Sequence, residues 1–263
     1  MNTVLEVSGL KTYFYTSTGI VKAVDGVTFD IRKGEVFGLV GESGSGKTMT
    51  GLSILRLVYP PAGISGSVLF NGEDLMKADG ERMRSLRGSR ISVVFQEPGT
   101  SFNPVLTVGR QVSECAQAHR NIGSKEAREI TLHYLEKVKI KEPGRIYRSY
   151  PHQLSGGTKQ RAGIAAALIN SPELVILDEP TTALDVTIQA AILDLLEEII
   201  RQERLSILFI SHDFGVVRRM CPRAAVMRRG RIVESGRTDE LLRNPKEEYT
   251  MSLLESERAL SCL

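Results

Sequence analysis

The chain has 263 residues, 41% hydrophobic and 25% charged, with no low-complexity tract, which excludes collagen-like, disordered and disulfide-scaffold architectures. Its 34 basic against 31 acidic side chains leave a formal charge of +3, too small a surplus to argue for nucleic-acid binding on electrostatics alone. Cys115, Cys221 and Cys262 are scattered without Cys-x-x-Cys spacing, so no zinc site or disulfide framework is implied and a reducing compartment is expected.

In chain order, residues 4–7 and 24–31 read as β-rich runs, and the apolar stretch from Val36 to Val40 reads as a buried strand running into Gly41. Beyond that glycine-rich loop, Leu52, Leu55 and Val58 fall at helical spacing and predict a helix over residues 51–58. Further strands are expected at 66–70, 91–95, 174–177 and 206–210, among them short apolar runs typical of strands covered on both faces. Between residues 104 and 170 the period lengthens, as in Ala127, Ile130, Tyr134 and Val138, and predicts a mainly helical insert. Ile188, Ile192, Leu195, Leu196 and Ile199 share one face of a helix that packs on a sheet. With no internal repeat or long linker, one unit of two lobes is the simplest division.

Gly41-Glu42-Ser43-Gly44-Ser45-Gly46-Lys47-Thr48 fits G-x-x-x-x-G-K-[ST] at every specified position, between a predicted strand and a predicted helix. Glycines let the backbone curl closely around a polyphosphate and turn successive N–H groups on its oxygens, while the following helix N-terminus adds positive potential. In that arrangement Lys47 bridges the β- and γ-phosphates of ATP and the Thr48 hydroxyl ligates Mg2+. The strand at 174–177 ends in Asp178 and Glu179. Asp178 is placed to hold Mg2+ through its water shell, and Glu179 to polarise water opposite the leaving diphosphate.

Leu154-Ser155-Gly156-Gly157-Thr158-Lys159-Gln160-Arg161 resembles the signature motif of ABC-type ATPases. Ser155 with Gly156 and Gly157 opens a helix through Ala165, Ala166 and Ile169, leaving N–H groups and a hydroxyl to meet a phosphate. The family's other motifs stand in order: Gln96 after a strand, Ala183-Leu184-Asp185 after the acidic pair, and His212 in Ile210-Ser211-His212-Asp213. The resemblance spans about residues 5–254. It implies an α/β fold with a P-loop NTPase core, made of a mainly parallel sheet with flanking helices plus an N-terminal antiparallel β region, and an inserted helical lobe. The implied domain covers 4–254, with a RecA-like core at about 4–98 and 171–240, a lobe at about 99–170, and a short C-terminal extension over 241–263. It further implies that Gln96 joins the Mg2+ site to the lobe and that His212 contacts the γ-phosphate. Asp185 then lies at a dimer interface, and Leu154, Ser155, Gly156, Gly157 and Gln160 meet the ATP held by a partner subunit, two domains binding head to tail around two ATP molecules. Phe14 occupies the family's adenine-stacking position, with Tyr13 and Tyr15 as competitors and a core role for Phe14 as the alternative.

The stretch from Phe95 to Val108, with Ser101-Phe102-Asn103-Pro104, is similar to the oligopeptide, dipeptide and nickel importer branch of that family. Asn244-Pro245 with Tyr249-Thr250-Met251-Ser252-Leu253-Leu254 resembles the branch's terminal element. The resemblance implies an ATP-hydrolysing importer subunit, homo- or heterodimeric, that serves two transmembrane permease subunits and, indirectly, an extracytoplasmic substrate-binding protein. Phe102, Asn103 and Pro104 are expected to face the permease. Met1 to Glu6 has no basic or apolar leader pattern, and no run approaches the ~18 apolar residues of a membrane span, so a peripheral position on the cytoplasmic face of the membrane is expected. Many peptide-importer subunits carry a cysteine-rich tail. Here Cys262 stands alone, which removes the case for an iron–sulfur cluster and leaves peptide, nickel or metal chelate open as cargo. The alternatives are a soluble, non-transport ABC ATPase, an accessory subunit of a phosphonate-degrading complex, and a binding-only regulator. The absence of coiled-coil or zinc modules, the Ser-Phe-Asn-Pro segment and the intact Glu179 weigh against them in turn. Arg218, Arg219, Arg223, Arg228, Arg229, Arg231 and Arg237 are read as a solvated face or protein interface, with no nucleic-acid partner.

Overall fold

In the computed structural model, residues 3–96, 101–182 and 184–261 are described. In chain order, β1 (Thr3–Thr16), β2 (Gly19–Arg32), β3 (Val36–Val40), α1 (Lys47–Ile54), β4 (Ala62–Phe70), β5 (Glu73–Asp74) and α2 (Gly80–Leu86) come first. There follow β6 (Ile91–Val94), α3 (Val108–Gln117), α4 (Ser124–Lys137), α5 (Pro143–Arg148), a 3-10 turn at Pro151–Gln153, α6 (Gly156–Leu168), β7 (Leu174–Asp178) and α7 (Val186–Glu203). The chain closes with β8 (Ser206–Ser211), α8 (Phe214–Met220), β9 (Arg223–Arg228), β10 (Arg231–Arg237), α9 (Thr238–Arg243) and α10 (Glu248–Ser261). Two compact units result, one of Met1–Met83 with Arg204–Leu263 and one of Arg84–Glu203.

The first unit holds two kinds of sheet. β1 and β2 form a long antiparallel hairpin, extended by β4 and β5 in the order β2-β1-β4-β5. Its buried side carries Leu5, Val7, Val27, Ile31, Val68 and Phe70. In the other sheet β3 lies parallel to both β8 and β9, and β10 returns antiparallel to β9. Every residue of β3 and β8 is buried, as expected of strands covered on both faces.

In the second unit β6 and β7 pair in parallel from Ile91 opposite Leu174 to Val94 opposite Leu177. The helical insert expected between 104 and 170 is present as α3 to α6, within a unit that also takes in these strands and α7. α4 buries Ala127, Thr131, Tyr134 and Leu135, while α7 buries Ile192, Leu193, Leu195, Leu196 and Ile199. Among the described residues no helix is long and apolar enough to cross a membrane.

One local reading of the sequence is corrected, and one stretch gains an element the sequence did not assign. The helix after the glycine loop runs Lys47–Ile54, because Arg56 turns left-handed at φ 53° and donates its guanidinium to the carbonyls of Leu75 and Ala78. The arginine-rich stretch from 223 to 237 is a β-hairpin. Its buried centre, Ala224 to Met227, has two alanines of weak β preference, so the arginines that bracket it dominated the pattern.

Arg223 ties the two sheets of the first unit together. Its guanidinium donates to Asp30 at 2.9 Å and to Glu35 at 3.1 Å and lies over the Phe37 ring, itself stacked on Phe29. The hydrogen bonds from Arg223 hold the Asp30 carboxyl below its ordinary value, with burial opposing them. Arg223→Ala is expected to cost about 1.5–3 kcal/mol, toward the lower end because Asp30 is partly screened by solvent. A depressed carboxylate contributes stability above its unfolded pKa of about 3.9 and loses it as the pH falls through the lower folded value. The stability gap between wild type and variant, measured by urea unfolding, should therefore be full at neutral pH and shrink below about pH 4. A gap that does not change with pH would remove Asp30 from the tie.

Candidate nucleotide site

In the first unit, candidate residues gather at the edge where β3 and β8 end. Val40 pairs with Ser211, so the chain leaves the sheet at Gly41 and at His212 side by side. Gly41 runs so close to the β9–β10 hairpin that a Cβ there would lie 2.2 Å from the Met227 carbonyl oxygen. Gly46 adopts φ 107°, and a Cβ on it would lie 2.3 Å from the Ala23 carbonyl oxygen. The hairpin turn also donates directly to the loop, from Gly230 N–H to Ser45 O at 2.8 Å, and Gly230 O accepts from Asp25 N–H at 2.7 Å. The loop is thus held from beneath.

Within this cradle Lys47 is 4% exposed and its Nζ donates to the carbonyls of Gly41 at 2.8 Å and Glu42 at 2.9 Å. The Ser45 hydroxyl is buried and has no hydrogen-bond partner among the described residues. An orphaned buried hydroxyl beside a lysine at the start of a helix suits an incoming phosphate oxygen. Glu42, Ser43, Gly44 and Thr48 are exposed along the same loop. His212 is exposed, and Asp213 caps α8 by accepting from Val216 N–H at 2.9 Å. On β1, Thr12 is buried and hydrogen-bonded to Ser53 of α1, and alternation puts the half-buried Phe14 on that same side. Tyr13, by contrast, gives its hydroxyl to Asp25, which also accepts from Arg231, and Tyr15 is exposed.

In the second unit, a further group of candidate residues lies where β6 and β7 end. Asp178 closes β7 and is 5% exposed. Glu179 has φ 47°, a left-handed conformation that a glutamate adopts at a cost of order 1–3 kcal/mol. Its carboxylate accepts from Gln96 Nε2 at 3.0 Å and from the Thr182 hydroxyl at 2.9 Å. Gln96 and Glu179, 83 positions apart, meet because their strands run in parallel register.

The signature segment begins α6. Ser155 is its N-cap, accepting from Thr158 N–H at 3.3 Å, and Leu154 precedes it half-buried. Gly156 is exposed, whereas Gly157 is packed so tightly that a Cβ would lie 2.8 Å from Ile188 on α7. The Gln160 Nε2 is buried without a partner among the described residues. Asp185 caps α7 in turn, accepting from Ile188 N–H at 2.9 Å. Glu97 to Thr100 and Ala183, which belong to motifs singled out in the sequence, lie outside the described residues.

Phe102 is a correction. Expected on a docking surface, it is 7% exposed, because Gln111 binds the loop to α3 by donating to the carbonyls of Asn103 and Leu106 and accepting from Asn103 N–H. Asn103, Pro104 and Val105 stay exposed, Val105 at 74%. Sequence reasoning missed the hairpin under the phosphate loop, whose one local signal was the turn Arg229-Gly230 between apolar runs.

Residues 24–182 match the ABC transporter family model. A probable peptide ABC transporter ATP-binding protein, y4tR, of Sinorhizobium fredii is 46% identical over 254 residues, 96% of this chain and 76% of the relative. The peptidoglycan transport ATP-binding protein YejF of Agrobacterium fabrum is 48% identical over 96% of this chain, which spans 47% of that longer protein. Among solved structures, the dimeric post-hydrolysis state of the ATP-binding cassette MJ0796 bound to ADP and Pi superposes with TM-score 0.80 at 26% identity, covering 89% of this chain and 98% of that one.

Gly46→Ala is expected to destabilise the protein by at least about 1–3 kcal/mol, since it combines a strained backbone with a clash against a carbonyl. Nucleotide affinity should fall with it. Thermal unfolding with and without ATP checks this, and an alanine variant with wild-type melting and affinity would show that the loop does not need its close approach.

Proposed function

Since the chain belongs to the ABC transporter ATP-binding family, we propose that it is the subunit of a peptide importer that hydrolyses ATP to drive uptake through membrane partners. It is an ATP-binding cassette ATPase. The observation that carries the nucleotide role is the phosphate loop itself, with its buried lysine and orphaned Ser45 hydroxyl held open from beneath.

Loop N–H groups beyond Glu42 turn on the phosphates of ATP, and Lys47 exchanges its two backbone carbonyls for β- and γ-phosphate oxygens. Glu179 accepts a proton from the attacking water as the water oxygen bonds to the γ-phosphorus and the bond to the ADP oxygen breaks. Gln96 and Thr182 fix the carboxylate that does this. His212 contacts the γ-phosphate. Phe14 stacks on the adenine, as the aromatic on the side of α1.

Thr48, Gln96 and Asp178 supply oxygen donors suited to Mg2+, a hard cation that keeps much of its water and leans on substrate phosphates. When bound, the ion neutralises charge developing on the phosphates.

Two copies, or this chain and a homologue, pair head to tail. Leu154, Ser155, Gly156, Gly157 and Gln160 of one then meet the ATP of the other, and Asp185 lies at their interface. The dimeric cassette among its structural relatives supports this arrangement. Two permease subunits and an extracytoplasmic binding protein complete the importer at the cytoplasmic face of the membrane. Peptide cargo is favoured by the name of the S. fredii relative.

Lys47→Ala is expected to abolish ATP binding. Glu179→Gln should keep binding while turnover falls about 10²–10⁴-fold, with ATP-dependent dimerisation strengthened. Binding titrations and phosphate release measure both, and unchanged hydrolysis in either variant would overturn the assignment. The permease contact is tested by Val105→Asp. At so exposed a position the fold should shift by no more than about 0.5 kcal/mol, while membrane retention is lost and ATP affinity holds. Retention with normal transport would take this loop out of the interface, and the ligand recovered on the co-purified binding protein separates peptide from nickel or metal-chelate cargo.

A further inference from the structure

The last helix, α10, reaches the phosphate loop from outside the motifs. Tyr249, in its first turn, is 7% exposed, and its hydroxyl oxygen accepts from Glu42 N–H at 3.5 Å. The same peptide unit, Gly41–Glu42, presents its carbonyl to Lys47 Nζ at 2.8 Å. A trans peptide is planar, so its N–H and C=O point in opposite directions. Tyr249 therefore grips one end of the plane whose other end holds the lysine.

The tyrosine is itself held. The Arg228 guanidinium lies 4.4 Å from its ring centre, and Arg228 directly follows Met227, whose carbonyl forms the wall against Gly41. Burial pushes the phenol above its ordinary value, so the hydroxyl stays neutral at working pH. Roughly 12 Å further along the helix, Glu257 accepts from Phe214 N–H at 2.6 Å, at the start of the helix that follows His212 and Asp213. The helix is thereby anchored at both ends, on the phosphate loop and behind the histidine segment, all within one unit.

We propose that Tyr249 is a positioning residue for nucleotide binding, which orients the Gly41–Glu42 peptide and through it sets where Lys47 stands before the phosphates arrive. This rests on the ATPase reading above. The long hydrogen bond is consistent with a contact that guides the peptide without locking it, since the loop must also release Lys47 from its carbonyls to a phosphate. The residue acts only on the part of the nucleotide that the loop holds, the β- and γ-phosphates.

Tyr249→Phe in the full chain keeps the ring, its packing and the contact with Arg228 and removes only the hydroxyl. The Kd for ATP and for ADP is expected to rise about three- to tenfold, the effect of one neutral hydrogen bond, with the melting temperature unchanged and AMP binding unaltered. That selectivity for polyphosphate is a readout that a packing role would not move. An ATP Kd within about twofold of wild type, or a loss that falls equally on AMP, overturns the proposal. Lys47→Ala measured in parallel separates the two levels. If it binds ATP normally, the nucleotide-site reading itself fails, whereas loss of binding in Lys47→Ala with a normal Tyr249→Phe removes only the role of Tyr249.

Discussion

A loop that offers its own N–H groups to a phosphate cannot also satisfy them within itself, so the rest of the fold must hold it open. Here the support comes from directly beneath: the Met227 carbonyl against Gly41, Ala23 and Gly230 against Gly46, and the Gly230 N–H on Ser45. The Met227 and Ala23 carbonyls leave no room for a Cβ on Gly41 or Gly46. The glycines of the motif thus answer two demands at once, the phosphate above and the hairpin below. β9 can supply the support only because it lies parallel beside β3 with Val226 opposite Val40, which brings its end level with the start of the loop.

The acidic cluster of the second unit follows another logic, in which strain is offset by hydrogen bonds. Glu179 sits in a left-handed backbone conformation immediately after a fully buried strand, where the next residue, Pro180, is also buried. Its carboxylate is fixed by Gln96 and Thr182, and its carbonyl accepts from Thr182 N–H. In the role of base proposed above, a carboxylate held this way does not have to search for its geometry at the moment of reaction, which is where preorganised sites gain most of their advantage. Because Gln96 donates through its amide nitrogen, its carbonyl oxygen stays available on the other side for a cation.

What could be read from the sequence was whatever is local in the chain. The phosphate loop, the acidic pair and the Ser155 helix start are contiguous strings, each with a physical signal that survives without tertiary information. The three fully buried strands, β3, β7 and β8, announced themselves as unbroken apolar runs. The features that escaped depend on register. Nothing around Tyr249 says that it meets Glu42, 207 positions away, and Ala224-Ala225 does not look like a strand until β3 lies beside it. Phe102 was misplaced for a related reason, since the side chain of Gln111 on the next helix decides which way that loop turns.

The arginine-rich stretch, read from the sequence as a solvated face or protein interface, also makes local contacts that charge alone does not show. Arg223 clasps Asp30 and Glu35, Arg231 clasps Asp25, Arg228 covers the ring of Tyr249, and Arg237 approaches Glu240. Each guanidinium is spent inside the first unit, joining the hairpin under the phosphate loop to the antiparallel sheet or to the closing helices. Arginine suits these positions better than lysine, because its planar fork can bond two carboxylates at once and still lie flat against an aromatic face, as Arg223 does on Phe37. Arg223 apart, these side chains remain exposed, as a solvated face requires, and their ion pairs and ring contacts tie the hairpin under the phosphate loop to its neighbours.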